Sequence, residues 1–287
     1  MKKIFILLAV ISISCSCTFG TDPSTNVTLH NPTVNVYLKQ LIKKHQFDTP
    51  EAKAYKGGIK LSNIAYDCYL DPELHISRYA CYSFQPTEDY QNLRRKGNWK
   101  NNPELNSIYQ ISDNSYKGSG FDRGHQAPDA SVRCWGNNAQ FESYYFSNCT
   151  PQNPKLNRGI WKRIEAEIRN LATMERPVYV ITGPVFYKNL RIRKIGQDEV
   201  AIPHAYFCII STFSSVDPFC IMSFIIENEE PMEDDMQNFE FCSVDYIESL
   251  TGFDFLIDDE SGSPWLKYEK SVYVVLFELD FQKYWRN

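Results

Sequence analysis

Between Gly120 and Asp129 the chain reads Gly-Phe-Asp-Arg-Gly-His-Gln-Ala-Pro-Asp, and no other stretch constrains the fold as tightly. Gly124 permits backbone conformations that other residues resist, and Pro128 cannot donate to a β-ladder, so the segment reads as the end of a strand opening into a loop. It also gathers a titratable imidazole (His125), a fixed planar cation (Arg123) and a carboxylate (Asp122) within four residues. Neutral histidine takes a proton from water near neutral pH, and a guanidinium fork matches phosphate oxygens. The combination suits phosphoester chemistry. The competing reading is a surface turn in which Asp122 pairs with Arg123.

Downstream, residues 150–157 carry the punctuation of a loop feeding a helix, and Ile160, Ile164, Ile168 and Leu171 form an apolar stripe behind it. Asn157, Trp161, Glu165 and Arg169 make the adjacent row at spacing four, which sets an amide oxygen and a carboxylate along one side. Magnesium keeps several waters and takes one or two protein oxygens, so Asn157 as ligand with Glu165 behind the ion's waters is sufficient. The structural alternative makes Asn157 an N-cap and pairs Glu165 with Arg169.

Other β-rich runs cover residues 79–84, 144–148, 178–182, 205–212, 219–226 and 272–279, with an irregular stretch at 131–141. Strands outnumber helices and do not alternate with them, which predicts an α+β fold with a mainly antiparallel sheet. Arg94, Arg95 and Lys96 lead into Trp99. This is either a solvated charge run or a surface that tracks phosphates, with Trp99 stacking on a base.

Lys2 and Lys3 precede an apolar run at residues 4–13 that is too short to span a bilayer, the layout of a signal peptide over residues 1–20. A lead-in at 21–34, a packing helix at 36–45 and a single domain over 35–287 are expected, with export to the periplasm or the medium. Cys15 or Cys17 as a lipid-anchor site is the lesser alternative, and no later segment has the apolar length of a membrane helix. Removing the leader leaves 28 basic against 35 acidic residues. That balance argues against a purely electrostatic nucleic-acid coat, while leaving room for a local basic cleft. Seven of the nine cysteines remain and are expected to pair in part, since exported chains meet oxidising conditions. None has zinc-site spacing.

Taken together, residues 122–128, 147–152, 156–161 and 163–165 resemble, in order and spacing, the non-specific DNA/RNA endonucleases of the ββα-metal superfamily. Weaker similarity at 97–100, 179–184, 200–203 and 247–252 extends the likeness over roughly residues 68–255. The resemblance implies a ββα-metal finger carrying His125 as general base for the attacking water and Asn157 as the direct Mg²⁺ ligand, with Mn²⁺ as a substitute. Arg123 would contact the phosphate, Glu165 the ion's waters, Arg169 would orient Glu165 or stabilise charge, and Asn148 would help position the site. DNA and RNA would be cut to 5′-phosphate products. The chain departs from the family at Gly97, where relatives carry an arginine that Arg94, Arg95 or Lys96 would replace, and at Cys208, where they often carry lysine. His204 reads as a strand-end residue. The rival functions are a catalytically silent binding or adhesion protein of the same fold, and a phosphodiesterase for small nucleotides.

Overall fold

The computed structural model describes residues 58–86, 97–172, 177–212, 220–229, 239–253 and 255. The expected leader, lead-in and first helix, the cations Arg94, Arg95 and Lys96, and the strand at 272–279 lie outside these residues.

Strands β1 (Ile59–Ser62), β2 (Tyr66–Asp71) and β3 (Ile76–Phe84) form an antiparallel meander. Next come β4 (Asp122–His125) and β5 (Cys149–Gln152), which make a separate two-stranded antiparallel ribbon. Strand β6 (Val178–Val185) returns beside β3, and β7 (Arg193–Ile195) with β8 (Val200–Ile202) makes a small hairpin. Finally β9 (Ala205–Thr212), β10 (Cys220–Glu227) and β11 (Phe239–Phe241) complete a seven-stranded antiparallel sheet in the order β1-β2-β3-β6-β9-β10-β11. The fold is α+β.

Side chains alternate across this sheet, and both faces are covered. Along β9, Tyr206, Cys208 and Ile210 enter one core while Ala205, Phe207 and Ile209 enter the other. The helices are α1 (Asp129–Val132), α2 (Asn137–Ser143), α3 (Pro154–Leu156), α4 (Lys162–Leu171) and α5 (Val244–Thr251). Helix α4 lays Ile164, Ile168 and Leu171 on the first face, as its apolar stripe predicts. Helix α5 adds Val244 and Ile247 to the second, with Phe253 and Phe255 beyond it. A third core, including Tyr116, Phe146, Cys149 and Val200, underlies the β4–β5 ribbon.

Three local expectations change. Residues 131–141 contain α1 and α2 rather than irregular chain, joined by the Gln140 amide donating to Asp129 at 2.8 Å. The expected strand at 144–148 is instead a turn closing at Phe146–Asn148, and the strand begins at Cys149. Polar side chains decide this: the Asn148 amide donates to the Ala127 and Ser143 carbonyls and accepts from the Ala127 N–H, each at 2.8 Å, competing with a sheet ladder. Residues 150–152, expected as loop, instead belong to β5, and Pro151 fits there because a ribbon of two strands has edges where a missing N–H is tolerated.

The expected cysteine pairing is not seen among the described side chains. Cys68, Cys81, Cys134, Cys149, Cys208 and Cys242 are free thiols. Strand alternation sends Cys68 and Cys81 into opposite cores, and Cys149 lies in the third. They act as small apolar residues, with burial pushing the Cys68 and Cys81 thiols up to about 12. No helix among the described residues is long and apolar enough to cross a membrane.

Candidate active site

The β4–β5 ribbon and the helical segment after it bring the chemistry-bearing residues together. Gly124 lies opposite Thr150, and a Cβ there would come within 2.4 Å of Gln152 Oε1 and 2.8 Å of Gln152 Cβ. A glycine is therefore needed for close strand approach. After Gln152, Asn153 caps the turn by accepting from the Lys155 N–H at 2.9 Å, and Pro154 takes the first helical position. The capping role thus belongs to Asn153, not Asn157.

Asn157 opens a wide π turn, Asn157–Trp161, in which Gly159 leaves helical geometry at φ −100°, ψ −109°. Such turns interrupt the regular helical register. The row at spacing four is broken accordingly: Trp161 is buried against Tyr206, with ring centroids 5.5 Å apart, while Glu165 and Arg169 stay half-buried.

The Asn157 side chain is oriented by a partner that its own helix does not supply. Its Nδ2 donates to Asp122 Oδ2 at 2.9 Å, and Arg158 donates to the same carboxylate through Nε at 2.7 Å and Nη2 at 2.5 Å. With Nδ2 committed, Oδ1 is the amide atom left to act as a ligand. Burial alone would raise the Asp122 carboxyl, but the hydrogen bonds from Arg158 and Asn157 and the charges of Arg158 and Arg123 hold it below its ordinary value. Asp122 therefore pairs across 36 residues with Arg158 rather than with its neighbour Arg123.

Arg123 turns to a different partner. Its Nη2 lies 2.7 Å from Asp113 Oδ1 and donates to the Asp113 carbonyl at 3.1 Å, while the guanidinium sits 5.4 Å from the centre of the Tyr116 ring. Asp113 belongs to a segment held by Asp198, which accepts from the Ser112 N–H and Ser115 Oγ, each at 2.6 Å.

His125 ends β4 among aromatic rings, with the Trp99 centroid at 4.4 Å and the Tyr144 centroid at 5.0 Å. Trp99 also stacks on Phe146 at 6.0 Å and 18°. Protein rings therefore pack around the half-buried Trp99 side chain. At the position of the family arginine, a Cβ on Gly97 would fall 2.1 Å from the Tyr144 ring, so a longer residue does not fit that backbone.

Asn148 is fully buried and spends both ends of its amide on backbone, so it braces the turn after His125. Burial drives the Glu165 carboxyl up to about 7 against the pull of Arg169 and the Trp161 indole, with Asp129 pushing the same way as burial. Arg169 extends Nη1 to Ser131 Oγ at 3.4 Å. Among the described residues no three His, Cys, Asp or Glu side chains gather into a metal cage. A magnesium ion that keeps most of its waters needs only one or two protein oxygens, and the oriented Asn157 Oδ1 fits that requirement. Asp122 and Arg158 were missed as orienting groups in the sequence; the only signal was the acidic residue next to Arg123.

A family model described as DNA/RNA non-specific endonuclease matches residues 44–259. Human mitochondrial endonuclease G is 33% identical over 125 residues, 41% of this chain and 42% of the relative. The nuclease of Serratia marcescens is 32% identical over 204 residues, covering 68% of this chain and 75% of the relative. The mitochondrial nuclease EXOG of Xenopus laevis is 31% identical over 206 residues, 67% of this chain and 57% of the relative. Matches to endonuclease G and EXOG thus span about half the length of those relatives. A solved complex of EndoG with the inhibitor EndoGI shares the fold, at a TM-score of 0.64 and 22% identity over 77% of this chain and 92% of that one.

Proposed function

The chain belongs to the DNA/RNA non-specific endonuclease family, and from that premise we propose that it is an exported, magnesium-dependent hydrolase of DNA and RNA phosphodiesters. The observation that carries this reading is the Asn157 amide, whose nitrogen is engaged by Asp122 so that Oδ1 is presented as a ligand close to the strand that ends in His125.

A hydrated magnesium ion, replaceable by manganese, would be held by Asn157 Oδ1 with Glu165 on its waters, and when bound it stabilises charge on the phosphate and on the leaving 3′ oxygen. His125 accepts the proton of the attacking water, a contribution of roughly 10²–10⁴-fold for a placed general base. Arg123 offers its remaining guanidinium N–H groups to phosphate oxygens while Asp113 holds the other side of the fork. Asp122 keeps Asn157 in the ligand orientation, and Arg169 draws the Glu165 carboxyl towards its charged form. These contacts favour phosphate over base edges, so sequence preference is weak and affinity falls with salt. Arg94, Arg95 and Lys96 would extend the phosphate contacts.

Export rests on Lys2, Lys3 and the apolar run at 4–13, and N-terminal sequencing of the secreted chain tests it, with cleavage after Gly20 expected. The activity is tested by end-labelling of products. Ends bearing 5′-phosphate and 3′-hydroxyl support the reading, 3′-phosphate ends refute the direction of displacement, and turnover confined to mononucleotide esters transfers the protein to the small-substrate class.

A further inference from the structure

A continuous series of packed rings runs from the candidate base to the candidate phosphate clamp. His125 packs on Trp99 with centroids 4.4 Å apart, Trp99 on Phe146 at 6.0 Å, and Phe146 on Tyr116 at 6.3 Å. The Arg123 guanidinium lies 5.4 Å from the Tyr116 centroid at the far end. The Trp99–Phe146 and Phe146–Tyr116 planes are inclined by only 18° and 13°, so these rings lie nearly parallel and offset from one another, while His125 is tilted by 40° to Trp99. Tyr144 closes the near end, edge-on to His125 at 5.0 Å and to Trp99 at 5.4 Å.

The backbone fixes this pile in place. The Lys100 N–H donates to the Tyr144 carbonyl at 3.0 Å, and the Phe146 N–H donates to the Lys100 carbonyl at 2.9 Å, binding the Trp99 loop to the Tyr144–Phe146 turn. Gly97 lets the Tyr144 ring lie against the main chain. Phe146 and Tyr116 are buried in the third core, and Trp99 packs against that core. Flat rings in a close-packed interior have few alternative placements, so a shift at one ring is passed to the next.

We propose that Trp99, Phe146 and Tyr116 are positioning residues that set the His125 imidazole and the Arg123 guanidinium relative to one another, so that water activation and phosphate contact occur on one substrate geometry. This rests on the reading of His125 as the base. Trp99 acts at the base end, and Tyr116 acts at the clamp end. Misplacement of a catalytic group by about 1 Å can cost on the order of 10²-fold in rate, which sets the expected size of the effect.

The test compares Trp99→Leu, Trp99→Phe, Tyr116→Leu and His125→Ala on magnesium-loaded protein cutting DNA, with melting temperature and the one-dimensional proton spectrum of the histidine rings recorded for each. Trp99→Leu should lower kcat about 10–100-fold at unchanged KM, and Trp99→Phe should recover most of it, since a flat ring remains. Tyr116→Leu should raise KM and flatten its salt dependence through Arg123. The ring-proton signals that vanish in His125→Ala should be upfield in the unmutated protein and move downfield in Trp99→Leu. A KM-only effect of Trp99→Leu, or an unshifted His125 signal, overturns the proposal; the spectrum decides it even if a variant is unstable. Full activity of His125→Ala would instead overturn the assignment of the base.

Discussion

Replacing Asp122 by alanine removes the acceptor for three hydrogen bonds, one from Asn157 and two from Arg158. The Asn157 amide then has no fixed sense, and Oδ1 exchanges places with Nδ2. Loss of such an orienting partner behind a metal ligand typically costs about 10–100-fold in metal affinity, or roughly 1.4–2.7 kcal/mol. The assay is magnesium titration of DNA cleavage, alongside titration calorimetry of magnesium without substrate. Asp122→Ala should move both midpoints up by that factor, and Asp122→Asn should fall between, because its amide oxygen still accepts from Asn157. Arg158→Ala should move them less than Asp122→Ala, since the Asn157 contact survives. Unchanged midpoints in Asp122→Ala, where Asn157→Ala shifts them, would refute the orienting role.

Other outcomes follow from the same geometry. Glu165 has a carboxyl raised from 4.5 to about 7, so the folded state holds more protons than the unfolded one between those values, and stability in chelator should fall as pH rises through that window. Thermal melts of Glu165→Gln should lose this slope; an identical slope would place its origin elsewhere. Gly124→Ala forces a Cβ onto Gln152 and should destabilise by about 1–3 kcal/mol, read as a lower melting temperature. Asn148→Ala strands three buried backbone groups and should destabilise by about 1–3 kcal/mol per group left unpaired, read as a lower denaturant midpoint, with KM little changed in the protein that stays folded. Arg123→Gln should weaken DNA binding in a filter assay and reduce the slope of log affinity against log salt by about one.

What was legible in the sequence was local. The α4 stripe follows from period 3.6, and β9 from a run of apolar and aromatic residues whose alternate members enter different cores. The Asp-Arg-Gly-His strand end was legible because glycine and proline mark it. Longer-range pairing was not. Nothing in residue 122 announces that its partner is Arg158, or in residue 123 that Asp113 lies beside it, since both contacts depend on how the ribbon packs. The π turn escaped because a spacing-four row assumes an uninterrupted helix, and Gly159 breaks it. The packing of Trp99 against His125, Tyr144 and Phe146 was not legible either, because residues 144 and 146 read in the sequence as an ordinary strand.

The most direct test of the central claim is cleavage of supercoiled plasmid and of structured RNA by the mature protein, with magnesium or with chelator, beside His125→Ala. Loss of both polymers in magnesium, none in chelator and none with His125→Ala is the predicted result. Cleavage that survives His125→Ala would contradict the assignment of the base, and retention of DNA in a gel shift without any cleavage would make the protein a binder that keeps the nuclease fold.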